Sequence, residues 1–158
     1  KLLYGVQGTG NGHISRARML AKHFSEKNID VEYLFSGRAA DQYFDMEIFG
    51  DYQLRDGLSF ATNKGSISAI QTLLQTKPLT FIGDVRKLDI SSYDAIITDF
   101  EPVTAWAGRL KKKPVIGIGH QYAFGYPDVP QSGVPPKFAS LVAHRHTSSC
   151  TCPLKTSN

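Results

Sequence analysis

Four residues of this 158-residue chain combine a reactive type with a suggestive position: His13, Asp99, Glu101 and His120, each shortly after an apolar run. A neutral imidazole can take a proton from a hydroxyl nucleophile, because its ordinary pKa lies near working pH. Such a base needs a partner to orient its second ring nitrogen. Asp99 or Glu101 can supply a carboxylate for His13. Each residue also has a plainer reading. His13 can be a helix-start hydrogen-bonder that shapes its loop, Asp99 a turn or cap carboxylate, and His120 a buried polar group at a strand end. Arg16 and Arg38 can face a phosphate or be ordinary surface charge.

The element that must position His13 is the stretch Gly8-Thr9-Gly10-Asn11-Gly12-His13. It lies between the apolar run Leu2–Val6 and a helical pattern starting near Ile14. Strand, glycine-rich turn and helix form the opening of an α/β domain with a ligand at its mouth. Glycines at 8, 10 and 12 allow positive φ and a close backbone approach to a ligand. The following helix offers unpaired N–H groups to an anion or a polar sugar. A tight strand-to-helix turn with no ligand is the alternative. The dinucleotide fingerprint is excluded: its sixth position is His13 rather than glycine. Ser36-Gly37-Arg38 also stands where an acid for the ribose would be expected. No Gly-Lys-Ser/Thr follows, so the stretch is not a P-loop.

The remaining chain alternates strands and helices. Ile14, Ala17, Leu20, Ala21 and Phe24 share one face of a helix over 14–27, and Asn28 is its stop. A strand over 31–35 leads through Ser36-Gly37-Arg38 into a short helix over 39–44. Short strands are expected near 52–54 and 58–60. Ser66 can cap a helix carrying Ile67, Ile70, Leu73 and Leu74. Pro78 marks a kink or the start of a second helix with Ile82, Val85 and Leu88 inward. After a strand over 95–98, Pro102 opens a helix with Glu101 near its N-cap and Val103, Trp106, Ala107 and Leu110 as the buried stripe. A last strand over 115–118 ends in Gly119-His120-Gln121. Near-continuous apolar strands alternating with helices predict a Rossmann-like parallel sheet covered on both faces. Its carboxyl edge then gathers the glycine loop, 36–38, 99–101 and 119–121, and ligands bind at such edges.

Hydrophobic residues make up 41% and charged residues 20%, which fits a globular chain rather than a disordered one. No apolar run approaches the ~20 residues of a membrane span. The opening apolar run is too short for a signal peptide, and the absent initiator Met points to processing or a fragment. The net charge of +4 suits a phosphate-bearing ligand or an anionic membrane surface. Lys111-Lys112-Lys113 reads as a solvated helix end. The two cysteines, Cys150 and Cys152, lie in the tail, so the expected compartment is the cytoplasm. With His144 and His146 they offer four metal-ligand types, but the C-x-C spacing and lack of surrounding pattern argue against a metal site. Residues 126–158 read as a Pro/Gly-rich linker and a poorly ordered tail.

These residues carry a resemblance. Gly8-x-Gly10-x-Gly12-His13-x-x-Arg16-Ala17 resembles the glycine-rich loop of GT-B glycosyltransferases. Together with Thr98-Asp99-Phe100-Glu101-Pro102 and His120-Gln121, it is most similar to a bacterial and archaeal glycosyltransferase-like group related to teichoic-acid biosynthesis. More distantly it resembles the peptidoglycan lipid-intermediate N-acetylglucosaminyltransferase and the UDP-glycosyltransferases. The resemblance covers about residues 1–125 and implies the N-terminal, acceptor-binding domain of a two-domain enzyme. The donor-binding C-terminal domain is absent from the sequence. The resemblance implies His13 as catalytic base with Asp99 orienting it; Glu101 stays as the other candidate acid from its position at the strand end. The residues expected to bind substrate at that edge are Gly8, Gly10, Asn11, Gly12, Arg16, Arg38, His120 and Gln121, all but Arg38 within the resembling stretches. Arg16 replaces the proline usual at its position. The resemblance implies no cofactor and no metal, only a nucleotide-sugar donor as co-substrate, held through the missing domain. The partner is a hydroxyl acceptor, with a lipid-linked one, peripheral association with the inner face of the membrane and a separate donor-domain chain left open. No nucleic-acid partner is expected. Two other readings are a non-catalytic α/β module for sugar or phosphate and half of a sugar-nucleotide epimerase.

Overall fold

The computed structural model describes residues 1–57, 62–63, 66–67 and 78–119. Five strands form one parallel sheet in the order β3-β2-β1-β6-β7. They are β1 (Leu2–Gln7), β2 (Val31–Ser36), β3 (Tyr52–Arg55), β6 (Ala95–Asp99) and β7 (Val115–Gly117). β1 is central, and its register sets the edge: Gln7 lies beside Ser36 on β2, and Val6 beside Asp99 on β6. Strands covered on both faces read as continuous apolar runs, and Leu3, Tyr4 and Val6 are all fully buried. The α/β parallel architecture is thus the one the alternation predicts.

One face carries α1 (Asn11–Glu26), whose Ile14, Ala17 and Ala21 pack on Tyr4, Val6, Tyr33, Phe35 and Ile97. The other carries α2 (Pro78–Lys87) and α3 (Pro102–Leu110), which meet Leu3, Leu34 and Ile96 through Val85, Val103 and Ala107. Asn28 adopts φ 53 just beyond α1 and ends it as expected. Pro78 opens α2, where its missing N–H costs nothing. Among the described residues no helix is long and apolar enough to cross a membrane.

Several local expectations are corrected. α1 begins at Asn11 rather than Ile14, so Asn11, Gly12 and His13 form its first turn. The segment 39–44 holds only a 3-10 turn, Ala40–Gln42. Ser66 does not cap a helix: Ser66–Ile67 (β5) pairs antiparallel with Thr62–Asn63 (β4). Ile82 is 43% exposed, leaving Val85 and Leu88 as the inward residues there. Trp106 and Leu110 are likewise exposed. α3 turns its smaller residues to the sheet instead, burying Thr104 and Gly108 with Val103 and Ala107. A Cβ at Gly5 would overlap the Thr104 side chain, and one at Gly108 would lie 2.9 Å from Ile96 Cδ1. Both glycines let α3 approach the sheet closely. The strand expected near 58–60, the tail from 126 and its cysteines and histidines lie outside the described residues.

Candidate active site at the carboxyl edge

Four chain segments meet at this edge: the β1–α1 loop, the end of β2, residues 99–101 and the end of β7. The loop glycines do not work through positive φ, which falls instead at Gly37, Gly50, Gly57 and Gly119. Gly8 is needed for space. A Cβ there would overlap the Tyr43 hydroxyl and lie 2.9 Å from the Ser36 carbonyl, which accepts the Gly8 N–H at 2.7 Å. Gly10 is the N-cap of α1 and lends it no side-chain bond. A Cβ at Gly12 would meet nothing within 4 Å. Among the described residues, the first turn of α1 is therefore open on its Gly12 side.

His13 stands in that first turn with its side chain 15% exposed, above a fully buried Asp99. Its Nδ1 lies 2.7 Å from Asp99 Oδ1. An ionised carboxylate only accepts, so Nδ1 donates and the lone pair of the neutral ring sits on Nε2. Among the described residues Nε2 has no hydrogen-bond partner. The Phe100 ring lies parallel to the imidazole, 9° between planes at 6.1 Å. Arg16, one turn along α1 from His13, donates from Nε to Asp99 Oδ2 at 2.7 Å. Tyr4 donates to the same oxygen at 3.4 Å, and burial pushes its phenol well above the usual range. The sequence left Arg16 between a phosphate contact and ordinary surface charge, and missed this bond. The signal was there: His13 and Arg16 are three residues apart, hence neighbours on one helix face.

Glu101 requires a correction. As a candidate acid for His13 it points the wrong way. It is fully buried as the N-cap of α3 and meets four donors. Val103 N (2.9 Å) and Ser36 Oγ (2.6 Å) reach Oε1; Thr104 N (2.6 Å) and Thr104 Oγ1 (2.7 Å) reach Oε2. Burial pushes its carboxyl above the usual range, while the four donors pull it back down. The chain reverses between the two acids at Phe100, whose φ of 59 is rare for a bulky residue. That reversal sends Asp99 to α1 and Glu101 to α3.

Arg38 and Asn11 are bonded to each other, Arg38 Nη2 to Asn11 Oδ1 at 2.9 Å. Arg38 also donates to the Thr9 and Gln42 carbonyls and lies over Tyr43, whose hydroxyl burial pushes up to about 12. It braces the loop from outside instead of presenting a free cation. His120 and Gln121 lie outside the described residues. Among those described, no three His, Cys, Asp or Glu side chains group as metal ligands.

A Rossmann-like parallel sheet with a half-buried His13 on a buried Asp99 at its carboxyl edge defines an α/β domain of the kind that binds a ligand there. The profile of the family described as "Glycosyl transferase family 1" matches residues 1–143, and the chain belongs to that family. The match runs further than the resemblance seen over 1–125. No curated protein matches the chain. Among solved structures it is similar to the crystal structure of Acinetobacter baumannii MurG, at 17% identity and a TM-score of 0.43. That likeness covers 73% of this chain and spans about a third, 33%, of the MurG chain.

Proposed function

We propose that this chain is the acceptor-binding half of a GT-B glycosyltransferase. It passes a sugar from a nucleotide-sugar donor to a hydroxyl acceptor, the reading its family membership supports in coarser form. The observation that carries the finer reading is the 2.7 Å bond between His13 and Asp99. Asp99 holds the ring, and Nε2 is left to take the acceptor proton as the hydroxyl attacks the anomeric carbon. The donor diphosphate leaves from a second domain, supplied by further sequence or by a separate chain. Direct displacement of this kind inverts the anomeric centre and asks for no cofactor. The open surface over Gly12 is where the acceptor sugar would approach. The resemblance in the first loop favours a cell-envelope polysaccharide or glycolipid as acceptor, with the enzyme working at the inner face of the membrane.

The test is turnover of the full-length or reconstituted enzyme with its nucleotide sugar. His13→Ala should lower kcat by roughly 10²–10⁴-fold, the scale of a lost general base. Intact turnover in a folded His13→Ala protein would make the histidine structural.

A further inference from the structure

We infer that Arg16 is a positioning residue of this site, the charge that balances Asp99 and so leaves His13 neutral with its proton on Nδ1. Only the kinetic part of this inference rests on the transferase reading.

Asp99 is fully buried, and a buried carboxylate without a balancing charge is costly. His13 Nδ1, at 2.7 Å, is a ready source of that balance. Were the imidazole the sole counter-charge, it would hold a second proton and lose the Nε2 lone pair that a base needs. Arg16 removes the demand. Its Nε meets Oδ2 at 2.7 Å while His13 meets Oδ1, so the two partners use different oxygens. A guanidinium does not give up its proton, so Asp99 remains an ionised acceptor and Nδ1 must be the donor. Arg16 Nη2 also lies 3.4 Å from Nδ1, where its charge opposes a second proton on the ring.

The other groups facing the pair do not alter this balance. From β1, Tyr4 is a neutral hydroxyl donor at 3.4 Å. From the loop after β6, Phe100 offers a ring face, and Glu101 is turned to the N-terminus of α3. Arg38 is bonded to Asn11 and the Thr9 carbonyl.

The probe is ¹⁵N NMR of the imidazole in the full-length protein at pH 8, with His13 assigned by loss of its signal in His13→Gln. The wild type should show a neutral ring protonated on Nδ1. Arg16→Gln should show imidazolium, and Arg16→Lys, which keeps the charge, a neutral ring. A neutral ring in Arg16→Gln, or imidazolium in the wild type, overturns the inference. Should Arg16→Gln fail to fold, two variants without a lone buried carboxylate give the answer at pH 5.5. Asp99→Asn, with Arg16 still facing the ring, should be less protonated than Arg16→Gln/Asp99→Asn. Equal protonation of these two also overturns it. In turnover, Arg16→Gln should move the acid limb of kcat/KM upward by at least about one pH unit. An altered NMR state with an unmoved acid limb would keep the role of Arg16 and remove His13 from the chemistry.

Discussion

Asp99 and Glu101 sit two residues apart, both fully buried at the end of one strand, and do unlike things. Asp99 meets side chains that can move protons or carry charge: His13, Arg16 and Tyr4. Glu101 meets backbone N–H groups and hydroxyls, the donors that hold a helix start. Residue type and burial therefore do not separate a site carboxylate from a structural one. The donors that surround each do, and the turn at Phe100 decides which donors those are.

The contrast should appear most strongly in turnover. Asp99→Asn should lower kcat by roughly 10–10³-fold, less than loss of the base itself. Glu101→Gln should leave kcat per folded molecule within about twofold. A kcat loss in Glu101→Gln as large as in Asp99→Asn would break the comparison. Stability should rank the two the other way. Glu101→Ala removes the N-cap and leaves buried donors unpaired, at a cost of about 2–4 kcal/mol in denaturant unfolding. An unchanged midpoint would deny Glu101 its structural place.

The raised carboxyl of Glu101 adds a pH signature. Its folded value lies above the unfolded one, so protonation favours the fold. That contribution is full below the unfolded pKa of about 4.3 and fades as pH rises through the folded value. The stability advantage of wild type over Glu101→Gln should therefore shrink as pH climbs from 4 toward 7. Unfolding curves across that range check the sign, and a growing advantage would contradict it.

The loop glycines sharpen the comparison on a smaller scale. Gly8→Ala meets backbone at Ser36 and the Tyr43 hydroxyl and should cost about 1–3 kcal/mol. Gly12→Ala meets open space within a helix and should stabilise by about 0.5–1 kcal/mol. If acceptor approaches there, Gly12→Ala should still raise its KM. An unchanged KM would move the acceptor elsewhere.

Much of this was legible in the sequence. Apolar runs separated by helices gave the parallel sheet, and parallel order brings every strand's carboxyl end to one edge. His13 after the first strand and Asp99 at the end of another thus share that edge, and the pairing of β1 with β6 is what brings them together. Which acid faced His13 was not legible, because that hangs on the φ of Phe100, a residue with no turn signature. The buried stripe of α3 was misread for another reason. Apolarity favoured Trp106 and Leu110, whereas close packing against Gly5 and the strand beneath favours Thr104 and Gly108. Arg16 was misread because a lone arginine on a basic chain looks like surface. Its partner is 83 residues away, and only the fold joins them.

The measurement that bears most directly on the central claim, that His13 and Asp99 act as one unit, is a double-mutant cycle on kcat in the full-length enzyme. Groups that act together lose their effect together. The account predicts that His13→Ala/Asp99→Asn is no slower than His13→Ala alone, within about threefold. Losses that multiply, so that the double variant falls by the product of the two single ones, would show two independent residues and contradict it.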